Sequence, residues 1–107
     1  MSIFTIKQGD TSPAFEVVLR DGDGIPVDLT GASVTLRMNR RNADLSITES
    51  PSIPDPGGGR VVYEWQPGDT DTAGIYAAEF YIEFPDGSNE TFPNNTHLTV
   101  YIPRKLS

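Results

Sequence analysis

The sequence has no cysteine, so its fold can draw on neither disulfides nor thiolate metal ligands, and thiol redox chemistry is excluded. It has one histidine, His97, and no GxSxG or HExxH pattern, which leaves little for nucleophilic, general-base or zinc-dependent catalysis. Positive charge is scarce. Eight Lys and Arg against fifteen Asp and Glu give a net charge of −7, which repels a phosphate backbone and argues against a nucleic-acid partner. No apolar run approaches the ~20 residues of a membrane helix, and the start Met1-Ser-Ile-Phe-Thr-Ile-Lys7 lacks the basic and apolar regions of a signal peptide. The expectation is a chain made and kept soluble, with no membrane partner. Helical periodicity is missing too: no window sets apolar residues at i, i+3, i+4 and i+7.

What is present is alternation. From Tyr76 onward Tyr76, Ala78, Phe80, Ile82 and Phe84 fall on one face, and Ala77, Glu79, Tyr81 and Glu83 on the other, which is the two-residue period of a half-buried strand. Pro85-Asp86-Gly87-Ser88 ends the run with turn residues and another β-leaning segment follows, so a hairpin is expected. Just upstream, Ala73-Gly74-Ile75-Tyr76-Ala77-Ala78 has the Gly-x-Tyr-x-small spacing found where an immunoglobulin-type sandwich enters its F strand. Ala78 stands where that pattern would carry a cysteine, and Thr72 where it usually carries Asp. Tyr76 is expected to bond its hydroxyl back to the corner backbone, with Gly74 shaping the entry.

The same alternation marks further strands, carrying inward Phe4 and Ile6; Phe15, Val17 and Leu19; Val34, Leu36 and Met38; Val61, Tyr63 and Trp65; and Leu98, Val100 and Ile102. Trp65 is expected to pack between sheets beside Tyr63. Asp21-Gly-Asp-Gly24 and Thr30-Gly31 mark reversals around an extended stretch at Ile25–Leu29. Residues 41–59 carry Pro51, Pro54 and Pro56 and end in Gly57-Gly58-Gly59. So long a structureless connection is uncommon, so a small extra strand is expected around Leu45 and Ile47. The Pro/Gly remainder is expected to be a loop whose residues Ser50 to Gly58 can be shortened without loss of stability. The chain therefore reads as one all-β domain over residues 1–107, an immunoglobulin-like β-sandwich of two antiparallel sheets with about seven strands.

Candidate sites are few. Asp21-Gly-Asp23 and Asp69-Thr-Asp71 begin like calcium loops, but from Asp21 an EF-hand would need Gly at Pro26 and Glu at Ala32, and from Asp69 it would need Glu at Phe80. They are read as turn acids, and no catalytic, cofactor or metal residue is assigned. Asn89-Glu-Thr91 and Asn94-Asn-Thr96 fit a glycosylation pattern that means nothing without secretion. Between Val61 and Pro103 there is no Lys or Arg while seven acids fall there, which is either a solvated acidic face or a surface for a basic partner. Tyr81 and Tyr101, the outward strand aromatics, would be the platform of a carbohydrate-binding module. Partner contacts are assigned to the 41–59 loop and its basic lead-in, through Arg40, Arg41, Leu45, Ile47 and Ile53.

Phe4-Thr-Ile-Lys-Gln-Gly-Asp-Thr-Ser-Pro13, Pro26-Val-Asp-Leu-Thr-Gly-Ala-Ser-Val-Thr-Leu-Arg-Met38, Gly59-Arg-Val-Val-Tyr-Glu-Trp65 and Asp69-Thr-Asp-Thr-Ala-Gly-Ile-Tyr-Ala-Ala-Glu-Phe80 together resemble one family. It is the immunoglobulin-like N-terminal domain of tailed-phage baseplate upper proteins, found also as small stand-alone proteins of phages and prophages. The resemblance spans most of the chain apart from residues 41–58. It implies a non-enzymatic structural part of a virion, made in the host bacterial cytoplasm. Such a part docks onto other tail or baseplate proteins in repeated copies, without a cofactor. A docking module alone, without a receptor-binding extension after Ser107, is the expectation, which leaves open a tail-tube ornament, a neck component or a capsid decoration.

Overall fold

Strand β7 (Gly74–Glu83) carries Tyr76, Ala78, Phe80 and Ile82 inward and fully buried, and most of the fold is arranged on its two edges. The computed structural model describes residues 3–40, 46–93 and 97–106. Along one edge β3 (Ser33–Arg40) pairs antiparallel, from Ser33 opposite Glu83 to Arg40 opposite Tyr76. The other edge is shared: β9 (Leu98–Ile102) covers Gly74 to Ala78, and β8 (Asn89–Phe92) covers Phe80 to Glu83. The β7–β8 hairpin closes where the Phe84 N–H donates to the Ser88 carbonyl at 2.8 Å, while Asp86 Oδ1 accepts from both the N–H and the hydroxyl of Ser88. Those two bonds hold the Asp86 carboxyl below the usual carboxylate range.

Two short strands complete this sheet, β1 (Ile3–Thr5) beside β9 and β4 (Ser46–Glu49) beside β3, giving six strands in all. Facing it is a three-stranded sheet in the order β2 (Phe15–Val18), β6 (Arg60–Tyr63), β5 (Ser52–Asp55). The class is all-β and the layers form a sandwich, elongated to 47 × 25 × 23 Å.

Two expectations are corrected. The described residues form nine strands instead of about seven, and the large sheet is mixed because β1 runs parallel to β9. The extra strands, β4 and β5, come from the 41–59 stretch. Pro54 is tolerated because β5 is an edge strand that meets β6 only at Ser52 and Asp55, with a register shift between them, so the missing N–H costs the ladder nothing.

Gly58 and Gly59, beyond β5, are bonded into the fold. Gly59 sits at φ +68°, and a Cβ there would fall 2.7 Å from the Leu19 carbonyl oxygen and 2.8 Å from that of Val27. Its own carbonyl accepts the Leu19 N–H at 2.8 Å, and the Pro56 carbonyl accepts the Leu29 N–H at 2.9 Å. The Pro/Gly segment is a packed corner of the small sheet.

The core lies between the sheets and holds most of the alternating residues. Val17, Phe4, Phe84 and Leu98 are only half-buried, because they lie along the seam or at the ends of the sandwich. Leu29 and Phe92 are buried additions. Leu29 belongs to an extended segment with no alternation of its own, and Phe92 is the one apolar residue of β8, placed inward by pairing with Phe80.

Candidate functional site

The corner that leads into β7 is built from Tyr76, Thr72, Arg40 and Gly74. Tyr76 is buried and its Oη donates to the Thr72 carbonyl at 2.6 Å. Burial pushes its phenol above the ordinary value, and the nearby Arg40 guanidinium partly opposes this. Arg40 lies across Gly74, where a Cβ would stand 2.9 Å from Arg40 Nε, so the glycine provides the seat for the arginine. Beside them opens a polar groove lined by Gln8, Asp71, Thr72, Arg104 and Lys105. Gln8 ties it together: its side-chain N–H donates to the Asp71 carbonyl at 2.8 Å and its Oε1 accepts the Lys105 N–H at 3.2 Å. Lys105 also pairs with Asp10 at 3.1 Å, an exposed contact of small energetic weight.

Trp65 lies just past the end of β6 and is buried in an aromatic cluster, with ring centroids 5.3 Å from Tyr63, 5.9 Å from Phe15 and 6.0 Å from Phe4. Its Nε1–H has no acceptor among the described residues. Tyr63 donates to Asp69 Oδ2 at 2.5 Å, and the same oxygen accepts the Gln66 N–H at 2.8 Å. Burial first, then the bond and charge of Asp69, raise the Tyr63 phenol well above its usual range. Asp21 Oδ1 accepts the N–H groups of Asp23 and Ile25, so this acid too is spent on its turn. Among the described residues no three His, Cys, Asp or Glu side chains gather in a metal-binding group.

The residues assigned to partner contact from sequence are not brought together. Arg41 and Leu45 lie outside the described residues. Arg40 sits at the corner, Ile47 is on β4 of the large sheet, and Ile53 is on β5 of the small sheet. Ile47 and Ile53 both turn inward, half-buried against the core.

The large sheet instead shows an apolar corner on its solvent face. Tyr101 pairs with Ile75, and Ile3 pairs with Thr99, one step along the same face; Ile3, Ile75 and Tyr101 are 62%, 51% and 43% exposed. Each lies on a different strand, and only the register of β1, β9 and β7 sets Ile75 directly beside Tyr101 with Ile3 diagonal to Tyr101. Farther along, the Arg37 guanidinium lies over the Tyr81 ring, 4.6 Å from its centroid. His97 is exposed just before β9.

The sequence model for the BppU N-terminal domain matches residues 2–97. The chain belongs to that family. A BppU N-terminal domain is the N-terminal domain of a baseplate upper protein, which makes this a phage baseplate-associated structural protein and a component of the virion that meets other virion proteins. The family is structural and not a known enzyme family. In this BppU N-terminal domain the matched stretch takes in β1 to β8 and stops just before β9. No curated protein matches the chain at a significant level.

Proposed function

We propose that this BppU N-terminal domain is a non-enzymatic docking element, carried in repeated copies and seated on tail or baseplate proteins through the solvent face of its large sheet. The observation that carries this reading is the Ile3, Ile75 and Tyr101 corner. A sheet face that places large apolar side chains next to one another in water gains by being covered, since each loses exposed apolar area on association. The rigid pairing beneath them supports a surface that binds without rearrangement.

The test is mass spectrometry of purified particles from a phage carrying the wild-type gene or Ile75→Lys with Tyr101→Lys. Both positions are exposed, so the double variant should fold normally and be lost from particles. Absence of the wild-type chain from particles would reject the reading, and normal incorporation of the double variant would reject this face.

A sugar-binding module acting in host adsorption is the competing class. Tyr81 and Tyr101 are its required platform, yet Tyr101 pairs with Ile75, six residues along β7 from Tyr81, a separation of ~20 Å at the rise of a strand. Arg37 already occupies one face of Tyr81. Specific binding on a glycan array would favour the sugar reading over docking.

A further inference from the structure

The two sheets differ in width, and the difference falls at one seam. In the immunoglobulin arrangement one sheet carries strands A, B, E and D. Here β2, β6 and β5 hold the B, E and D places, while β1, the strand that would stand beside β2, is paired with β9 on the opposite sheet. Among the described residues no strand stands next to β2 on the side away from β6.

Two grooves mark that side, of about 340 and 400 Å³, and they share Val17, Val18, Arg20 and Leu98 in their walls. Phe4 of β1 and Phe92 of β8 supply much of the remaining apolar surface, and Val18 is itself 36% exposed.

The backbone says what fits there. Leu19 donates to the Gly59 carbonyl, and the β2–β6 register continues that pairing through Val17 with Val61 and Phe15 with Tyr63. In an antiparallel ladder alternate residues face the partner, so the N–H and C=O of Glu16 and Val18 point the other way, into the seam. Among the described residues neither residue's backbone groups are bonded there. Two of the other edges carry protection that β2 lacks: β5 has Pro54 and a register shift, and β1 is only three residues long.

We infer that the seam is a strand-acceptor site, which takes an extended segment of another virion protein as a fourth strand beside β2. Its backbone pairs with Glu16 and Val18, and its alternate apolar side chains enter the groove between Val17, Phe92 and Leu98. Only a strand offers donors and acceptors at the two-residue spacing this edge presents. A second copy of this chain is disfavoured as the donor, because each copy carries a net charge of −7 and the segment must come close. The partner's identity as a virion protein rests on the docking role proposed above. The acceptor chemistry does not, so it is tested on the isolated chain.

The probe is a synthetic seven-residue peptide of alternating Val and Thr with a Lys at each end, titrated into the intact protein while amide hydrogen exchange is read by NMR. The expected result is that the Glu16 and Val18 amides, fast in the free protein, slow by ~10-fold or more as the peptide saturates. The amides of Ser52–Asp55 at the opposite edge should stay unchanged.

Val18→Pro removes an N–H that faces the seam and not β6, so it should keep the fold and abolish the protection. Unchanged exchange at Glu16 and Val18 at millimolar peptide would overturn the inference. Protection of both amides that grows with protein concentration alone would overturn the choice of a foreign donor and assign the edge to a second copy. Either result stands whether or not the chain is found in particles.

Discussion

Tyr76 reaches back four residues to hold the Thr72 carbonyl at 2.6 Å, and so fixes the angle at which the chain enters the central strand. Removing the hydroxyl in Tyr76→Phe leaves the ring packed and deletes one internal hydrogen bond, for an expected loss of ~0.5–1.5 kcal/mol. Urea denaturation of the two proteins measures it directly. Equal midpoints would mean that the bond contributes nothing and the corner is held by packing alone.

Tyr63 and Asp69 make a second phenol bond, this one to a carboxylate. Tyr63→Phe is expected to cost ~1.5–3 kcal/mol at neutral pH, the range for hydrogen bonds to charged groups. The pH dependence follows from the sign of the shift. A phenol whose folded pKa is raised keeps its proton longer in the native state than in the unfolded chain. Its stabilisation is therefore complete below ~10, the unfolded value, and is lost as the pH rises from there toward the folded pKa. Stability should fall as the solution is taken above pH ~10, and Tyr63→Phe should make that fall shallower. Tyr76 shifts in the same direction, so some alkaline loss should remain in the variant. Identical slopes for wild type and variant would show that Tyr63 is not its source.

Trp65 is buried against three aromatic rings, but its N–H has no acceptor among the described residues. Truncation to Ala should cost ~3–5 kcal/mol through lost burial and the cavity left behind. Trp65→Phe should cost distinctly less, since the ring cluster is kept and no hydrogen bond is given up. The fluorescence of this single tryptophan should resist acrylamide quenching in the native state. Ready quenching would place the ring outside the core.

What the sequence disclosed was whatever could be read along one strand at a time. The alternation at 76–84 placed four buried residues of β7 correctly, and the Gly-x-Tyr spacing pointed to the corner before Tyr76. What depends on two strands meeting stayed hidden. Ile3, Ile75 and Tyr101 form a patch only through register, the parallel pairing of β1 leaves no local trace, and the edge of β2, unpaired among the described residues, is visible only once the other described strands have been placed. The 41–59 stretch misled for a different reason. Proline and glycine signal breaks in a strand interior, but at an edge and in a tight corner they are compatible with the sheet, and composition cannot tell the two contexts apart.

The glycines show how sharply context decides. Gly59→Ala would put a side chain on a φ of +68° and against two backbone oxygens, neither of which can swing away. The left-handed conformation alone costs ~1–2 kcal/mol for a residue with a Cβ, and the clash adds to it. Gly57, in the same run, has no positive φ, and a Cβ added there would meet nothing within 4 Å. Gly57→Ala should be neutral or stabilising by up to ~1 kcal/mol, through the smaller entropy of the unfolded chain. Melting temperatures of the pair suffice, and equal effects would contradict the packing of this corner.

Replacing Ser50 to Gly58 with a short Gly-Ser link extends the argument to the whole segment. Were these residues a free loop, shortening them would leave stability nearly unchanged, because loop closure depends only weakly on length. In the fold they are β5 and the turn after it. The cut would remove one of the three strands of the small sheet, the half-buried Ile53, the buried Pro51 and the Pro56 carbonyl that accepts from Leu29. Val61 and Tyr63, buried in β6 next to β5, would become residues of an edge strand and meet water. Losing the burial of even two such side chains is worth ~3–6 kcal/mol, which approaches the whole stability of a small domain. The expected outcome is a chain that is unfolded or melts far below wild type in circular dichroism. A deletion variant with the wild-type melting temperature would show that β5 is an ornament on the sandwich and not part of its frame.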